Sequence, residues 1–325
     1  MDAFASHVAD EATVWVADAC TRYGIGFVGV SEEAHVRPWS EVIRYHTSNG
    51  GLWLKTNGPG TAHEPALVAV LSDLEPDLVP SVLEADRHRR RFLTRDAGPV
   101  ISSHAAPDEL WTQWETILVR YAEAQVRVAS YLPLLLGAGT PEVSPTTLPG
   151  QAAELIDQLS RLAPETGGLS ERETASLAGG LPVYDAWCAE LAASGIPSSI
   201  QHDDLHSGNI CWGGSAETSR IIDWGDASVG HPLGTMLCTM NSIAYHASCE
   251  VDDPRMTRIR DAYLEPFTAY ASRADLARYV DLARKVGCVT RALSWAAALH
   301  GESLDAHREY EFPVRAWLLE TPVTP

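Results

Sequence analysis

Lysine is almost missing from this sequence: Lys55 and Lys285 are the only two among 325 residues, and arginine supplies the rest of the basic side chains. Lys and Arg together number 24 against 43 acids, leaving a formal net charge of −19. A chain so poor in positive charge repels nucleic acid and anionic membrane, so neither is expected as a partner. Long apolar runs are missing as well. The best stretch, Tyr131 to Gly139, is far too short to cross a bilayer. The six cysteines (Cys20, Cys188, Cys211, Cys238, Cys249 and Cys288) are scattered and form no C-x-x-C pair. That excludes a zinc ribbon or a disulfide framework and reads as buried thiols of a reducing compartment. The opening MDAFASHVADEATVWVADAC has acids where a secretory signal has a basic start and an apolar run. A cytoplasmic location is the expectation.

What is present describes an ordered globular protein: 45% hydrophobic residues, ten Trp and ten Tyr. The first hundred residues read as irregular and strand-like. Phe27–Val30, Trp39–His46 and Gly51–Thr56 are rich in β-branched and aromatic residues, with shorter strands expected near Ser81–Glu84 and Arg91–Thr94. Between two of them, Asn49-Gly50 offers the positive φ angles of a hairpin turn. After the breaker Gly58-Pro59-Gly60, the segment from His63 to Leu71 predicts a helix, with Pro65 tolerated in its first turn. Asp96-Ala97-Gly98-Pro99 breaks the pattern. From Pro107 the period becomes helical, with Leu110, Trp111, Trp114, Ile117, Leu118, Tyr121 and Ala124 on one apolar face. Gly137–Gly150 reads as loop, Gln151–Leu162 and Val183–Ala193 as helices, and the chain beyond Leu233 as helical again. The basic run Arg87–Arg91 is expected to be a solvated turn. No internal repeat, low-complexity tract or long linker is apparent.

The chemistry concentrates in one segment, His202-Asp203-Asp204-Leu205-His206-Ser207-Gly208-Asn209, followed by Ile221-Ile222-Asp223-Trp224-Gly225-Asp226-Ala227. An apolar strand ends in a polar loop, a short strand leaves it, a Gly-Gly turn follows, and a second strand delivers another carboxylate. Folded as a hairpin, this brings Asp204, Asn209 and Asp223 to one end of a small sheet. Phosphoryl transfer needs such a grouping: one carboxylate for the acceptor hydroxyl, and an amide oxygen plus a second carboxylate for Mg²⁺. Phosphoryl transfer also needs a cation for the α- and β-phosphates, in kinases a strand Lys held by a helix Glu: Lys55 ends the strand Leu52-Trp53-Leu54 and Glu64 opens the next helix.

H-x-D-L-H-x-G-N followed by I-I-D-W-G-D-A resembles the catalytic and metal-binding motifs of the aminoglycoside phosphotransferase and choline kinase superfamily, which has a protein-kinase-like fold. The resemblance implies that Asp204 is the catalytic base, that Asn209 and Asp223 bind Mg²⁺, and that His202 and His206 shape the loop. It implies an α+β, bilobal architecture: residues 1–96 an N-terminal nucleotide-binding lobe with one helix, 97–106 a hinge, and 107–325 a helical lobe holding the acceptor site. Asp96 and Gly98 fall at the hinge, where backbone groups would meet the base of ATP or GTP. Two departures stand out. No G-x-G-x-x-G loop precedes Lys55; the corresponding hairpin is Glu33–Glu41, where Ser40 or nearby amides would cover the phosphates. The family's later Asp, which braces the catalytic loop from a helix, is replaced in Gly230-His231-Pro232-Leu233-Gly234-Thr235, with Thr235 near its place.

Two other readings compete. His202, Asp204 and His206 alternate as three metal ligands on a strand would, which suits a metal-dependent hydrolase, although no second His/Cys cluster completes a site. A catalytically dead, kinase-like binding protein is the other, opposed by the joint presence of Lys55, Asp204, Asn209 and Asp223. The acceptor is expected to be a hydroxylated small molecule, an aminoglycoside-like antibiotic or amino sugar among the candidates. Asp226 and Asp203 are placed to favour a cationic one.

Overall fold

The computed structural model describes residues 2–30, 35–103 and 107–323. Helix α1 (Asp2–Arg22) precedes strands β1 (Phe27–Val30), β2 (His35–Arg37), β3 (Ser40–Thr47) and β4 (Gly50–Asn57). Helix α2 (Glu64–Leu74) and strands β5 (Val82–Asp86) and β6 (Arg91–Arg95) complete the first lobe. The strands form one antiparallel sheet in the order β1-β3-β4-β6-β5, with β2 also paired to β3. Period-two alternation sorts the faces of β4. Leu52 and Leu54 pack with Tyr45 and Leu93 against Ala12, Val16, Ala19 and Cys20 of α1. Trp53 and Lys55 point the other way. Cross-strand register sets Val42, Lys55 and Phe92 side by side and Trp53 beside Thr94, and all five line one large cavity.

Helix α1 departs from the strand-like reading of this region. Its buried positions are mostly Ala and Cys, so the four- and three-residue spacing carries little hydrophobic contrast. The β3–β4 turn also differs in detail: Thr47 pairs with Gly50, and of Asn49 and Gly50 only the glycine takes a positive φ, 102°. In the basic run, Arg87–Arg90 form the β5–β6 turn, but Arg91 is buried, its guanidinium 4.5 Å from the Trp15 ring.

The second lobe begins with α3 (Pro107–Val128) and continues through α4 (Leu132–Gly137), β7 (Glu142–Val143), α5 (Leu148–Ser160) and α6 (Glu171–Ala192). Four short strands follow: β8 (Ser199–Gln201), β9 (Ile210–Cys211), β10 (Arg220–Ile221) and β11 (Ser228–Gly230). Helices α7 (Met236–His246), α8 (Pro254–Leu264), α9 (Arg273–Ala298), α10 (Leu304–Glu309) and α11 (Pro313–Leu319) finish the chain. Strand β11 pairs parallel with β7 and antiparallel with β8, while β9 and β10 form a separate hairpin. The expected loop Gly137–Gly150 thus contains a two-residue strand. Helix α6 starts a dozen residues before Val183, because a Ser170/Glu173 capping box opens it and Pro182 is accommodated inside it. Trp114 and Tyr121 of the α3 stripe are buried, as core residues. No helix among the described residues is long and apolar enough to cross a membrane.

One apolar core joins the lobes: Leu67 and Leu71 of α2 and Phe92 of β6 share a cluster with Leu118, Ile210, Ile221 and Trp224. Between them, the backbone from Asp96 to Val100 runs along the cavity. Asp96 pairs with Arg44 at 2.7 Å and accepts from the Gly98 amide at 3.0 Å. These two donors outweigh burial and hold its carboxyl below the usual range. Gly98 needs φ +94°, and a Cβ there would press on the Trp212 carbonyl. Trp212 N donates to Pro99 O at 2.7 Å, fixing the connection to β9.

Candidate active site

The polar loop between β8 and β9 is held from both ends. Asp203 takes φ 61°, a left-handed conformation that Asp tolerates, and turns the chain out of the strand. Leu205 is anchored in the core at 0% exposure. His206 accepts from the Gly208 amide through Nδ1 at 3.0 Å and so caps the turn Ser207–Asn209. The Asn209 amide donates to Asp204 O at 3.0 Å, leaving its Oδ1 as the acceptor on the cavity side. His202 is fully buried, bonded through Nε2 to Ile222 O at 2.8 Å and packed on the Trp224 ring at 4.8 Å. Burial pushes its imidazole down to about 4, so it stays neutral. Both histidines therefore shape the loop, one by packing and one by capping.

Asp223 follows β10 with φ 63° and ψ 59°, which re-aims its carboxylate toward Lys55. Lys55, 9% exposed, is bonded to Asp223 and lies 2.7 Å from Glu64, which has no exposed surface. Glu64 also accepts from Trp224 N at 2.9 Å, and the Asn57 amide donates to it. Burial alone would lower the ammonium's pKa. The carboxylates of Asp223 and Glu64 outweigh it and hold Lys55 above the usual lysine value. Asp223 is desolvated in part, but Lys55 beside it outweighs this and holds its carboxyl below its ordinary value. Its side chain is 44% exposed, so it can still bind something in the cavity.

That cavity, about 430 Å³, lies between the sheet and the β9–β10 hairpin. Lys55, Glu64, Asn209, Asp223, Ser40 and Gly98 all border it. Asp204 stands beyond Asn209, its side chain 32% exposed. Burial raises its carboxyl, with Asp226 adding to the effect, while Arg291 and His206 oppose it.

His206 Nε2 lies 3.7 Å from Asp204 Oδ2, but His202 is turned away from them, with its Nε2 on Ile222 O and its ring against Trp224. No group of three or more His, Cys, Asp or Glu among the described residues is placed to hold a metal ion.

The two carboxylates expected to meet a cationic acceptor are already engaged. Asp203 is 4% exposed and accepts from Ser228 Oγ. Asp226 accepts from Ser294 Oγ at 2.6 Å and pairs with Arg291 at 3.1 Å. Burial of polar groups demands such partners, and here the protein supplies them.

Residues 53–234 match the sequence profile of the family described as "Phosphotransferase enzyme family". The chain belongs to that family. No curated protein sequence matches it significantly. Solved structures resemble it in fold. A macrolide 2'-phosphotransferase from Brachybacterium faecium superposes with TM-score 0.58 at 18% identity, covering 93% of this chain and 96% of that one. A choline/ethanolamine kinase family protein from Mesorhizobium loti gives TM-score 0.56 at 16% identity, over 91% and 89%. An ethanolamine kinase from Plasmodium vivax gives 0.55 at 12%, over 89% and 81%. The architecture is the protein-kinase-like one of the superfamily.

The family match includes every expected polar residue from Lys55 to Asp226 but stops short of Arg291, which sequence reading missed. Arg291 is 5% exposed on α9, on the face that also buries Val280, Ala283 and Gly287. An arginine on an apolar helix face was the available signal, because such a charge is buried only with partners. The brace of the catalytic loop was only half visible. His202 N donates to Tyr121 Oη at 2.9 Å, and Tyr121 Oη lies 3.2 Å from Thr235 Oγ1. Thr235 therefore reaches the loop only through Tyr121 of α3.

Proposed function

We propose that this phosphotransferase moves the γ-phosphoryl group of ATP or GTP to a hydroxyl of a small molecule, with the nucleotide in the large cavity. The observation that carries this reading is the single buried ammonium of Lys55 shared by Glu64 and Asp223, with Asn209 on the same wall. A cation fixed in this way is the phosphate anchor that transfer requires. The segment that follows Asp96 serves as the hinge, with the backbone near Asp96 and Gly98 toward the base.

The Asp223 carboxylate and the Asn209 Oδ1 form a donor set of one charge and one neutral oxygen, which fits Mg²⁺ held jointly with substrate phosphates. When bound, that ion would offset the negative charge that develops on the transferring phosphoryl group. Lys55 orients the α- and β-phosphates. Asp204 accepts the proton of the acceptor hydroxyl as that oxygen bonds to phosphorus and the bond to the nucleoside diphosphate breaks. Arg291 opposes the burial that raises the Asp204 carboxyl and so favours its ionised form.

The acceptor class is a hydroxylated small molecule of the kind phosphorylated by the structural neighbours, whose names include macrolide phosphotransferases and choline or ethanolamine kinases. Asp203 is satisfied internally by Ser228, whereas Asp226, paired with Arg291, keeps 26% side-chain exposure. A turnover screen with ATP and GTP over aminoglycosides, macrolides, amino sugars and amino alcohols tests the proposal. Phosphorylated product from at least one acceptor is expected. Mg²⁺-dependent nucleotide binding without transfer to any of them would favour the dead-kinase reading instead.

A further inference from the structure

The β2–β3 hairpin, which lends His35, Arg37, Trp39 and Ser40 to the cavity wall, has no glycine at its tip. Strand β2 is three residues long, exposed throughout and paired only with β3, and the turn to β3 is Pro38–Trp39. So short an edge strand cannot fix the tip by its own ladder. The tip is held by other means. Trp39 O accepts from Gly58 N at 2.6 Å and from Thr61 Oγ1 at 2.9 Å. The Trp39 ring reaches across to the helical lobe, 5.4 Å from Trp295 in an edge-on contact and 5.1 Å from Tyr310. Trp295 and Tyr310 are themselves 5.4 Å apart, closing a triad. Beside it, Gly60 packs directly on the backbone of α9, where a Cβ would collide with the Ala297 carbonyl.

We infer that Trp39, Trp295 and Tyr310 form an interlobe clasp that positions the β2–β3 hairpin over the phosphates of the nucleotide, an inference that rests on reading the large cavity as the nucleotide site. Trp39 belongs to the cavity lining, whereas Trp295 and Tyr310 do not. The clasp also has continuous links to the polar centre on both sides. From the tip, Thr61 bonds to Asn57 at 3.2 Å, and Asn57 to Glu64, the partner of Lys55. From α9, Trp295 adjoins Ser294 and lies one turn from Arg291, which hold Asp226 and Asp204. A flexible glycine loop covers phosphates by close backbone approach; here a rigid turn does so because aromatic packing fixes where it sits. Trp295 and Tyr310 are positioning residues, since they act through the hairpin, while Trp39 both carries the clasp and faces the cavity.

The decisive variant is Trp295→Ala, because it removes no side chain from the cavity wall. Two ring contacts are lost, one to Trp39 and one to Tyr310, and nucleotide affinity is expected to weaken about tenfold, with acceptor KM little changed. Trp39→Ala should match it, the double variant should add little beyond either single one, and Trp295→Phe should restore most of the affinity. Tyr310→Ala, which leaves α9 intact, gives an independent reading if Trp295→Ala folds poorly. Equilibrium binding of ATP or GTP to full-length protein is the measurement. Wild-type affinity in both folded Trp295→Ala and Tyr310→Ala, with nucleotide bound by the wild-type protein, would overturn the clasp alone. Absence of nucleotide binding by the wild-type protein would overturn the site reading, and the clasp with it.

Discussion

Arg291 Nη1 stands 3.1 Å from Asp226 Oδ2 while its Nη2 stands 3.5 Å from Asp204 Oδ1, so one buried guanidinium serves two carboxylates of the site. The pair with Asp226 fixes α9 against the loop after β10. The approach to Asp204 opposes the burial that raises that carboxyl. Arg291→Met should therefore shift the acidic limb of the pH–kcat/KM profile to higher pH, because the base loses a neighbour that favours its ionised form. It should also cost about 3 kcal/mol of stability, since Asp226 is left without its cation. An acidic limb at the wild-type position would contradict this role.

Lys55 offers a test that separates stability from turnover. Lys55→Met leaves Glu64, which has no exposed surface, without its main cation, and should destabilise the fold by about 3 kcal/mol in urea titrations. Adding Glu64→Gln removes the stranded charge and should recover most of that loss. Turnover should stay at least about a hundredfold down in both, because the phosphate anchor is gone in each. Recovery of turnover along with stability would show that Lys55 is only structural.

The parts of this fold that were legible in the sequence share a cause. Lys55, Asp204, Asn209 and Asp223 sit at strand ends and in a tight loop, where local residue types dictate both backbone and chemistry. Strands β1, β3, β4 and β6 carried enough β-branched and aromatic residues to announce themselves. Helix α1 did not, because its buried face is built from Ala12, Ala19 and Cys20 around Val16. Strands β7 and β11 are two and three residues long and exist only because their partners are present. Arg291 and Tyr121 reach the loop from helices far away in sequence, so no local pattern tied them to it. Asp203 and Asp226 looked available as acids near a site; only the tertiary fold brought Ser228, Ser294 and Arg291 against them.

The replaced brace has its own test. Tyr121→Phe deletes the acceptor of the buried His202 N–H, and should cost about 1–3 kcal/mol of stability. Because that amide sets the course of the loop, kcat should fall while nucleotide affinity holds. Thr235→Val, which removes only the contact behind Tyr121 Oη, should have the same direction and a smaller size. A loss of nucleotide affinity with unchanged kcat would contradict a bracing role.

Asp203 predicts a pH dependence of stability. Burial pushes its carboxyl up to about 7, while Ser228 pulls it part of the way back. The unfolded value is about 3.9, so the folded state holds this proton more tightly. The group's contribution is fully present below about pH 3.9 and is lost as pH rises through the folded value. Asn at this position accepts the same hydrogen bond and tolerates the same left-handed backbone. Asp203→Asn should thus gain stability relative to wild type between about pH 4 and 7 and hold the gain above, with a ceiling of about 4 kcal/mol. Thermal melts across that range check it, and a difference independent of pH would refute it.

The most direct test of phosphoryl transfer at this site is Asp204→Asn, followed by parallel turnover and nucleotide-binding measurements. The amide preserves shape but cannot take the proton of the acceptor hydroxyl, and Asp204 lies outside the lining of the nucleotide cavity. The account predicts a kcat lower by about 10²–10⁴, with Mg²⁺-dependent nucleotide affinity close to wild type. Near-normal turnover in Asp204→Asn would contradict it.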